Sequence, residues 1–146
     1  SKCLCAEMKK VIFSFLFLVV IMPLHAQNYD ISVTIQNIKE IKGHIQIGLY
    51  NNPEDFPKVG KEYKRFYFKV DSHRMTYRIP NLNKGKYAIA TYHDINSDKE
   101  CNTNFFGYPT EDFGFSNNVK IFIAPPSFNS ALIELDSNTS IEIEID

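Results

Sequence analysis

Oxygen-bearing side chains recur at short intervals along one polar stretch of the sequence. Asp94, Asn96 and Asp98 alternate with other residues. Asn102 and Glu111 add two more oxygen donors later in the same stretch. Calcium binds about six to eight oxygen ligands, and alternate residues of a tight loop can converge on one ion. These five residues therefore form a candidate calcium site.

The same side chains have a second interpretation, in which they build turns without a metal. Asp and Asn side chains readily form hydrogen bonds with backbone amides a few residues away. The stretch also departs from the EF-hand pattern, because Lys99 stands where that pattern has a glycine and Phe105 where it has a glutamate. The sequence therefore leaves a calcium-stabilised loop and an Asx-turn loop as alternatives for residues 92–118.

Aromatic residues are concentrated in the same loop. Phe106, Tyr108 and Phe113 form a candidate ligand surface, since aromatic side chains often anchor ligands and partner proteins. In the alternative interpretation, the aromatic residues of the loop, including Phe105 and Phe115, pack the loop against its own domain. We favour packing as their main role.

Catalytic chemistry has little support in the residue pattern. No phosphate-binding loop, dinucleotide-binding motif or G-x-S-x-G nucleophile motif occurs. His93 has no second histidine or cysteine at a ligand spacing, so we expect a hydrogen bond to the backbone rather than zinc binding. Cys101 has no recognisable base partner, and we expect it to be a buried thiol.

The first 26 residues resemble a targeting segment. Met8 is the expected start, Lys9 and Lys10 supply positive charge, and an apolar run covers residues 11–22. A run of this length is typical of a secretory signal peptide, whereas a membrane span needs about 20 apolar residues. We therefore expect cleavage near Ala26, a periplasmic or secreted product and no stable membrane anchor.

Residues 27–146 are long enough for a single domain with one hydrophobic core. Residues 1–26 hold three of the 16 basic and one of the 17 acidic residues, which leaves a net charge of −3 for the rest. This balance does not favour nucleic acid as a partner. Because Cys101 is the only cysteine in residues 27–146, no internal disulfide can hold the long loop.

Alternation of apolar and polar residues dominates the expected domain. Successive side chains of a β-strand point to opposite faces, so each alternating run offers one face to a core. The pattern predicts an all-β antiparallel β-sandwich of about seven or eight strands, with Ig-like or transthyretin-like Greek-key connections. Asn52 before Pro53 also predicts a short helix or an irregular crossover over residues 53–65. The alternating runs lie at residues 31–35, 45–49, 66–70, 75–79, 87–92, 119–123, 131–135 and 141–145.

Four motifs in and before the long loop carry a resemblance to a known family. They are Gly85-x-Tyr87-Ala88-x-Ala90, His93-Asp94-x-Asn96, Thr103-Asn104-Phe105-Phe106-Gly107-x-Pro109 and Glu111-x-x-Gly114-Phe115-Ser116-Asn117-Asn118. With these motifs the chain resembles domain of unknown function 2141, over essentially all of residues 27–146. The resemblance implies an exported bacterial protein with a small β-rich domain, and it implies no particular activity. The chain departs from the family pattern at Lys99, where a glycine is usual, and at Asn102, where an aspartate is usual.

The sequence favours a non-catalytic binding or accessory module of the bacterial envelope, because its informative residues lie in one loop and no catalytic set is visible. The expected partner is an envelope protein or a glycan. The basic segment 58–86 could contact an anionic polysaccharide, although a solvated strand face explains its charge more simply. Two alternatives remain. One is a hydrolase that uses Asp94, Asp98 and Glu111, and the other is a structural assembly subunit with an exposed last strand.

Overall fold

The computed structural model describes residues 27–104 and 107–146, and the expected signal peptide lies outside them. The described residues form a nearly all-β domain, as the alternation predicts, with one short 3-10 turn at Ser116–Asn118. They include no helix that is long and apolar enough to cross a membrane. The eight strands are β1 (Asn28–Gln36), β2 (His44–Tyr50), β3 (Lys64–Lys69), β4 (Met75–Asn83), β5 (Gly85–Asp94), β6 (Phe113–Phe115), β7 (Ile133–Leu135) and β8 (Thr139–Glu144).

The strands form two sheets. β1 lies at the centre of a three-stranded sheet, between β4 and β8, while β2 and β5 lie side by side in the middle of a five-stranded sheet. β3 borders β2 on one edge of the larger sheet, and β6 and β7 each pair with β5 on the other side. This arrangement confirms the predicted β-sandwich.

One strand pair differs from the predicted antiparallel arrangement. β1 and β8 run parallel, with Ile31 opposite Thr139 and Ile35 opposite Ile143, whereas the other pairs of described strands are antiparallel. A parallel neighbour requires a long crossover connection. Here the chain builds the whole five-stranded sheet between the two strands, which supplies that connection.

Aliphatic side chains fill the space between the two sheets. In β1, Ile31, Val33 and Ile35 are fully buried, and the polar residues between them are only partly covered. Ile45 and Ile47 of β2 belong to the same core. The alternation in the sequence therefore predicted the buried face of these strands correctly.

The opposite face of the five-stranded sheet, which we call the outer face, carries a second, smaller core that is largely aromatic. Tyr50, Ala88 and Phe115 contribute to this outer layer from β2, β5 and β6. Phe56 and Phe128 cover them from two irregular segments. The Phe56 ring meets the rings of Tyr50, Phe115 and Phe128 edge-on, at centroid distances of 5.2, 5.9 and 6.1 Å. The larger sheet is therefore covered on both faces.

Of the two structures predicted for residues 53–65, a short helix or an irregular crossover, the chain forms the irregular crossover, which ends where β3 begins at Lys64. The Asn52 side chain does bind this segment, since its Oδ1 accepts a hydrogen bond from Glu54 N (3.1 Å) and its Nδ2 donates to Asp55 Oδ2 (2.9 Å). These bonds close turns rather than starting a helix. The packing of Phe56 into the outer layer then fixes the path of the crossover.

The predicted strand over residues 119–123 is also wrong. Val119 and Ile121 pack partly against the outer layer, but Phe122 and Ile123 are 90% and 101% exposed. The apolar residues of this segment therefore do not share one buried face, as a strand would require. The predicted strand over residues 131–135 is present in a shorter form, as β7.

Candidate functional site: a cavity beside the Asx-rich loop

A cavity of about 380 Å³ opens on the outer face of the five-stranded sheet. Ala90 of β5 leaves room there, because its side chain is small. Phe113 and Phe115 of β6 stand beside it, since the strand register places Phe115 opposite Ala90 and Phe113 opposite Tyr92. Ligand pockets commonly have volumes of about 300–1,000 Å³ and mainly apolar linings. The cavity is therefore large enough for a small ligand.

The cavity exists because irregular segments, rather than a third sheet, cover the outer face. Pro57 lines it from the crossover after β2, Tyr108 from the loop between β5 and β6, and Ile121 from the segment after β6. We call residues 95–112 the β5–β6 loop. These three segments meet without a repeating hydrogen-bond pattern, so they leave space that close packing of regular elements would fill.

The rim of the cavity is apolar and exposed. Val59, Tyr108 and Ile123 line the cavity and are 50%, 48% and 101% exposed. Phe122, next to Ile123 in the chain, is 90% exposed. Clustered exposed apolar side chains often mark sites where a ligand or a partner binds.

Gln46, Tyr92 and Cys101 contribute polar groups to the lining of the cavity. Burial raises the pKa of Tyr92 to about 12, and it also raises the pKa of the Cys101 thiol. Both groups are therefore neutral at pH 7. Cys101 is half-buried rather than buried, which corrects the expectation from the sequence.

A buried carboxylate, that of Glu62, lies close to Gln46. Glu62 packs over Gly48, where an added Cβ would lie 2.8 Å from Glu62 Cγ. The Glu62 side chain is 2% exposed and accepts hydrogen bonds from Arg65 Nη2 (2.8 Å), Gly60 N (2.9 Å) and Gln46 Nε2 (3.3 Å). Burial alone would raise the pKa of Glu62, but the hydrogen bonds, led by that from Arg65, lower it overall. Glu62 is therefore an ionised group that positions Arg65 and Gln46.

Asp94 holds the start of the β5–β6 loop against the sheet. It is fully buried at the end of β5. Its Oδ2 accepts hydrogen bonds from Lys99 N (2.8 Å) and from the Tyr67 hydroxyl, and its Oδ1 accepts one from Asp98 N (3.2 Å). Lys99 adopts a φ of 65°, a left-handed conformation that glycine accepts more readily. This conformation explains why a glycine suits that position.

Asn96, Asp98 and Asn102 form a second set of hydrogen bonds. Asp98 Oδ2 accepts from Asn96 Nδ2 (2.7 Å) and from Asn102 Nδ2 (3.1 Å), while Asp98 Oδ1 accepts from Glu100 N (2.9 Å). These bonds, led by that from the Glu100 backbone, lower the pKa of Asp98. Asp98 is therefore in direct contact with two of the other predicted metal ligands, Asn96 and Asn102.

Glu111 ties the two ends of the β5–β6 loop together. Its Oε1 accepts a hydrogen bond from Ile95 N (3.2 Å), and its Oε2 accepts one from Asn102 N (3.3 Å). Burial raises the pKa of Glu111, and the negative charge of Asp94 acts in the same direction. The predicted ligands thus surround one short stretch of backbone.

These contacts have the form of the Asx-turn alternative, because N–H groups of the protein occupy the carboxylate oxygens of Asp94, Asp98 and Glu111. Among residues 27–104 and 107–146, no three His, Cys, Asp or Glu side chains lie in an arrangement that could hold a metal ion. Calcium binding by Asp94, Asn96, Asp98, Asn102 and Glu111 stays a prediction.

Two of the three predicted ligand-surface residues lie together at the cavity. The ring centroids of Tyr108 and Phe113 are 6.0 Å apart, and both side chains line the space. Phe106, the third, lies outside the described residues. Phe113 and Phe115 also belong to the outer layer, so they have the packing role that the sequence favours.

Sequence reasoning missed Gln46, Tyr50 and Ala90 as parts of the site. These residues stand at strand positions that the alternating pattern assigns to the face away from the main core. The covering segments lie far from them in the chain. Nothing in the local pattern indicates that those segments would cover this face and leave a space.

His93 takes no part in the cavity. Its Nε2 lies 2.7 Å from the Lys42 carbonyl oxygen, in agreement with the predicted hydrogen bond to the backbone. Its Nδ1 is buried without a hydrogen-bond partner among the residues that the structure describes. Because a carbonyl oxygen can only accept, Nε2 carries a proton and donates it to the Lys42 carbonyl.

The chain belongs to the family described as an uncharacterized protein conserved in bacteria (DUF2141), which matches residues 33–143. The match includes the β5–β6 loop and part or all of each strand, and it confirms the resemblance carried by the loop motifs. Comparison with curated proteins found no match, and neither did comparison with solved structures.

Proposed function

We propose that this member of the DUF2141 family is a non-catalytic binding module of the bacterial envelope. The observation that carries the proposal is the apolar cavity on the outer face, with the exposed rim of Val59, Tyr108 and Ile123. Its lining favours an apolar ligand, or the apolar part of an envelope component, over the glycan considered from the sequence.

Exposed apolar groups at the rim give such a ligand a source of binding free energy. Removing apolar surface from water contributes about 25 cal/mol per Å². Phe122 and Ile123 are almost fully exposed, so a ligand that covers them gains this contribution without any change in the strands. The rim also belongs to irregular segments, which adapt to ligands more easily than a sheet does.

The hydrolase alternative has less support. Carboxyl groups that catalyse hydrolysis must exchange protons with the substrate or attack it. Asp94 is fully buried, and Asp94, Asp98 and Glu111 accept hydrogen bonds from backbone amides of their own loop. None of these three lines the apolar cavity.

Export is part of the proposal and is supported by the charge and apolar pattern of residues 8–26. We expect the exported protein to begin at Gln27, as N-terminal sequencing of a periplasmic or secreted fraction can determine. Recovery of residues 11–22 in a membrane fraction, still attached to the domain, would contradict this part of the proposal.

A neutral apolar dye tests the cavity directly. We expect the protein to bind Nile red with enhanced fluorescence, and Ile123→Ser to weaken that binding by about 3- to 10-fold because the rim loses apolar surface. Ile41→Ser is the control, since Ile41 is likewise an exposed isoleucine, at 53%, but lies outside the cavity. This control is expected to bind the dye as the native protein does.

Cys101 provides a second measurement of occupancy, because its side chain lines the cavity. We expect bound Nile red to slow the alkylation of Cys101 by iodoacetamide. Mass spectrometry of the peptide that contains Cys101 measures the extent of alkylation. No dye binding, or equal weakening by Ile123→Ser and Ile41→Ser, would overturn the proposal that the cavity is the binding site.

A further inference from the structure

A smaller pocket of about 220 Å³ adjoins the apolar cavity. Gln46 and Tyr92 line both spaces, and Arg65, Tyr67 and Lys99 complete the smaller one. The strand register places Gln46 opposite Tyr67 on one side and opposite Tyr92 on the other, so these three side chains project from the same face of the sheet. The two spaces therefore share a boundary.

Two cations face the smaller pocket. Lys99 Nζ lies 5.9 Å from the centroid of the Tyr67 ring, and the ion pairs between described residues do not include Lys99. Arg65 donates to Glu62 from Nη2, a bond that uses only part of its N–H donors. An anionic group in this pocket therefore meets Lys99, which forms no ion pair with a described carboxylate, and Arg65, which has further N–H donors available.

Two nearby carboxylates, those of Glu62 and Asp94, are covered, and no acidic residue is among the described residues that line this pocket. Glu62 has a side chain that is 2% exposed and is paired with Arg65. Asp94 is fully buried and accepts hydrogen bonds from the Tyr67 hydroxyl and from the Lys99 backbone N–H. The charged side chains that line the pocket are therefore those of Arg65 and Lys99.

We propose that the two adjoining spaces bind a free, single-chain alkyl carboxylate, with its tail in the apolar cavity and its carboxylate at Lys99 and Arg65. Gln46 and Tyr92 lie at the boundary, where their neutral polar groups can form hydrogen bonds with the head group. This inference rests on the proposed function and adds the chemical class of the ligand to it.

The alkyl tail supplies most of the affinity in this arrangement. Transfer of one methylene group from water to an apolar environment corresponds to a change of about fourfold in the dissociation constant. The cavity is open to solvent at its rim, so part of each methylene group can stay in contact with water. We therefore expect the dissociation constant to decrease by about two- to fourfold for each methylene group added between hexanoate and decanoate. The gain should end when the tail exceeds the length of the cavity.

The head group is tested with three ligands of equal tail length, below the concentrations at which they form micelles. Isothermal titration calorimetry is expected to show that decanoate binds about 3- to 10-fold more tightly than decanol, because of the ion pair and hydrogen bonds at Lys99 and Arg65. Decyltrimethylammonium is expected to bind more weakly than decanol. The preference for decanoate over decanol should decrease as salt is added.

A pair of lysine variants locates the head group. Lys99→Gln is expected to remove most of the preference for decanoate over decanol, while the affinity for decanol stays the same. Lys64→Gln is the matched control, because Lys64 Nζ also lies over a tyrosine ring, 5.7 Å from the centroid of Tyr63, but does not line either space. This control should retain the preference.

The possible results separate the two proposals. Equal affinities for decanoate and decanol would overturn the assignment of the head group and leave the apolar binding site in place. Absence of binding by all three ligands and by Nile red would overturn the proposed function itself. Binding to vesicles of anionic phospholipid, without binding of monomeric decanoate, would replace the free alkyl carboxylate with a membrane surface.

Discussion

The two faces of the five-stranded sheet are covered in different ways. The inner face packs against the three-stranded sheet, where Ile45, Ile47 and Leu49 of β2 are all 0% exposed. The outer face takes Gln46 and Gly48 from the same strand and carries the aromatic layer and the cavity. Neighbouring residues of one strand thus contribute to a filled core and to an open site.

The difference follows from what covers each face. A second sheet presents side chains at regular intervals, and these can interdigitate closely with the side chains opposite. The irregular segments at residues 51–63 and 119–132 contribute few side chains each, and the space between them stays accessible. A small domain can therefore obtain its stability from one face of a sheet and place a binding site on the other.

The largest expected effect comes from the inner face. Ile89→Ala should lower the free energy of unfolding by about 3 to 4 kcal/mol, because Ile89 is 0% exposed and its loss leaves a void between the sheets. Phe113→Ala removes a larger but half-buried side chain on the outer face and should cost about 1 to 2 kcal/mol. Urea denaturation followed by circular dichroism measures both. Equal losses would show that the two faces are packed equally well.

Substitutions that add volume should distinguish the packed part of the outer layer from the cavity. Ala131→Leu should destabilise the protein by about 1 to 3 kcal/mol, because Ala131 is 0% exposed within the aromatic layer. Ala90→Leu extends into the cavity and should change the stability by less than about 1 kcal/mol. It should also weaken the binding of Nile red. If Ala90→Leu were the more destabilising variant, the cavity would not be open in solution.

Glu62 gives the next effect, which depends on pH. Because the folded-state pKa of Glu62 is lowered, the ionised form stabilises the fold above the ordinary pKa, and this contribution is lost as the pH falls through the folded-state value. Glu62→Gln should therefore cost about 1.5 kcal/mol at pH 7, and the difference from the native protein should narrow below about pH 4. Urea denaturation of both proteins at several pH values measures this difference in the free energy of unfolding. A constant difference would contradict a role for the charge.

Calcium is expected to have the smallest effect. Extracellular sites commonly have dissociation constants of about 10⁻⁴ to 10⁻³ M, so about 1 mM calcium should stabilise the fold by about 0.4 to 1.4 kcal/mol and raise the Tm by a few degrees. The added cation would offset the repulsion that Asp94 exerts on Glu111. Asp98→Asn should abolish the increase, with Asp136→Asn, outside the loop, as the control. Identical melting curves in calcium and in chelator would leave only the Asx-turn network.

Local alternation predicted the inner face well. Ile31, Val33 and Ile35 alternate with polar residues, and burial of their side chains requires only that a second sheet lie on that side. The same reasoning failed for residues 119–123, where the apolar residues alternate but none of the described strands pairs with them. Alternation shows what a strand could bury, whereas pairing depends on segments that are distant in the sequence.

The site was less predictable for a related reason. Tyr108 and Phe113 were recognisable, since aromatic residues in a long loop stand out in the sequence. Ala90 and Gly48 contribute by being small, and a small residue on a strand has no signal of its own. Lys99 carries the head-group assignment, yet in the sequence it is only a departure from a glycine. Its position over the Tyr67 ring is set by the hydrogen bonds of Asp94.

The parallel pairing of β1 with β8 bears on when the domain can fold. Asp30 N donates a hydrogen bond to Asn138 Oδ1 (2.9 Å), and these two residues are 108 positions apart in the chain. The three-stranded sheet is therefore incomplete until β8 has been synthesised, and non-local contacts of this kind slow folding. In the export that we propose, such a delay is useful, because the sandwich cannot close before β8 is available.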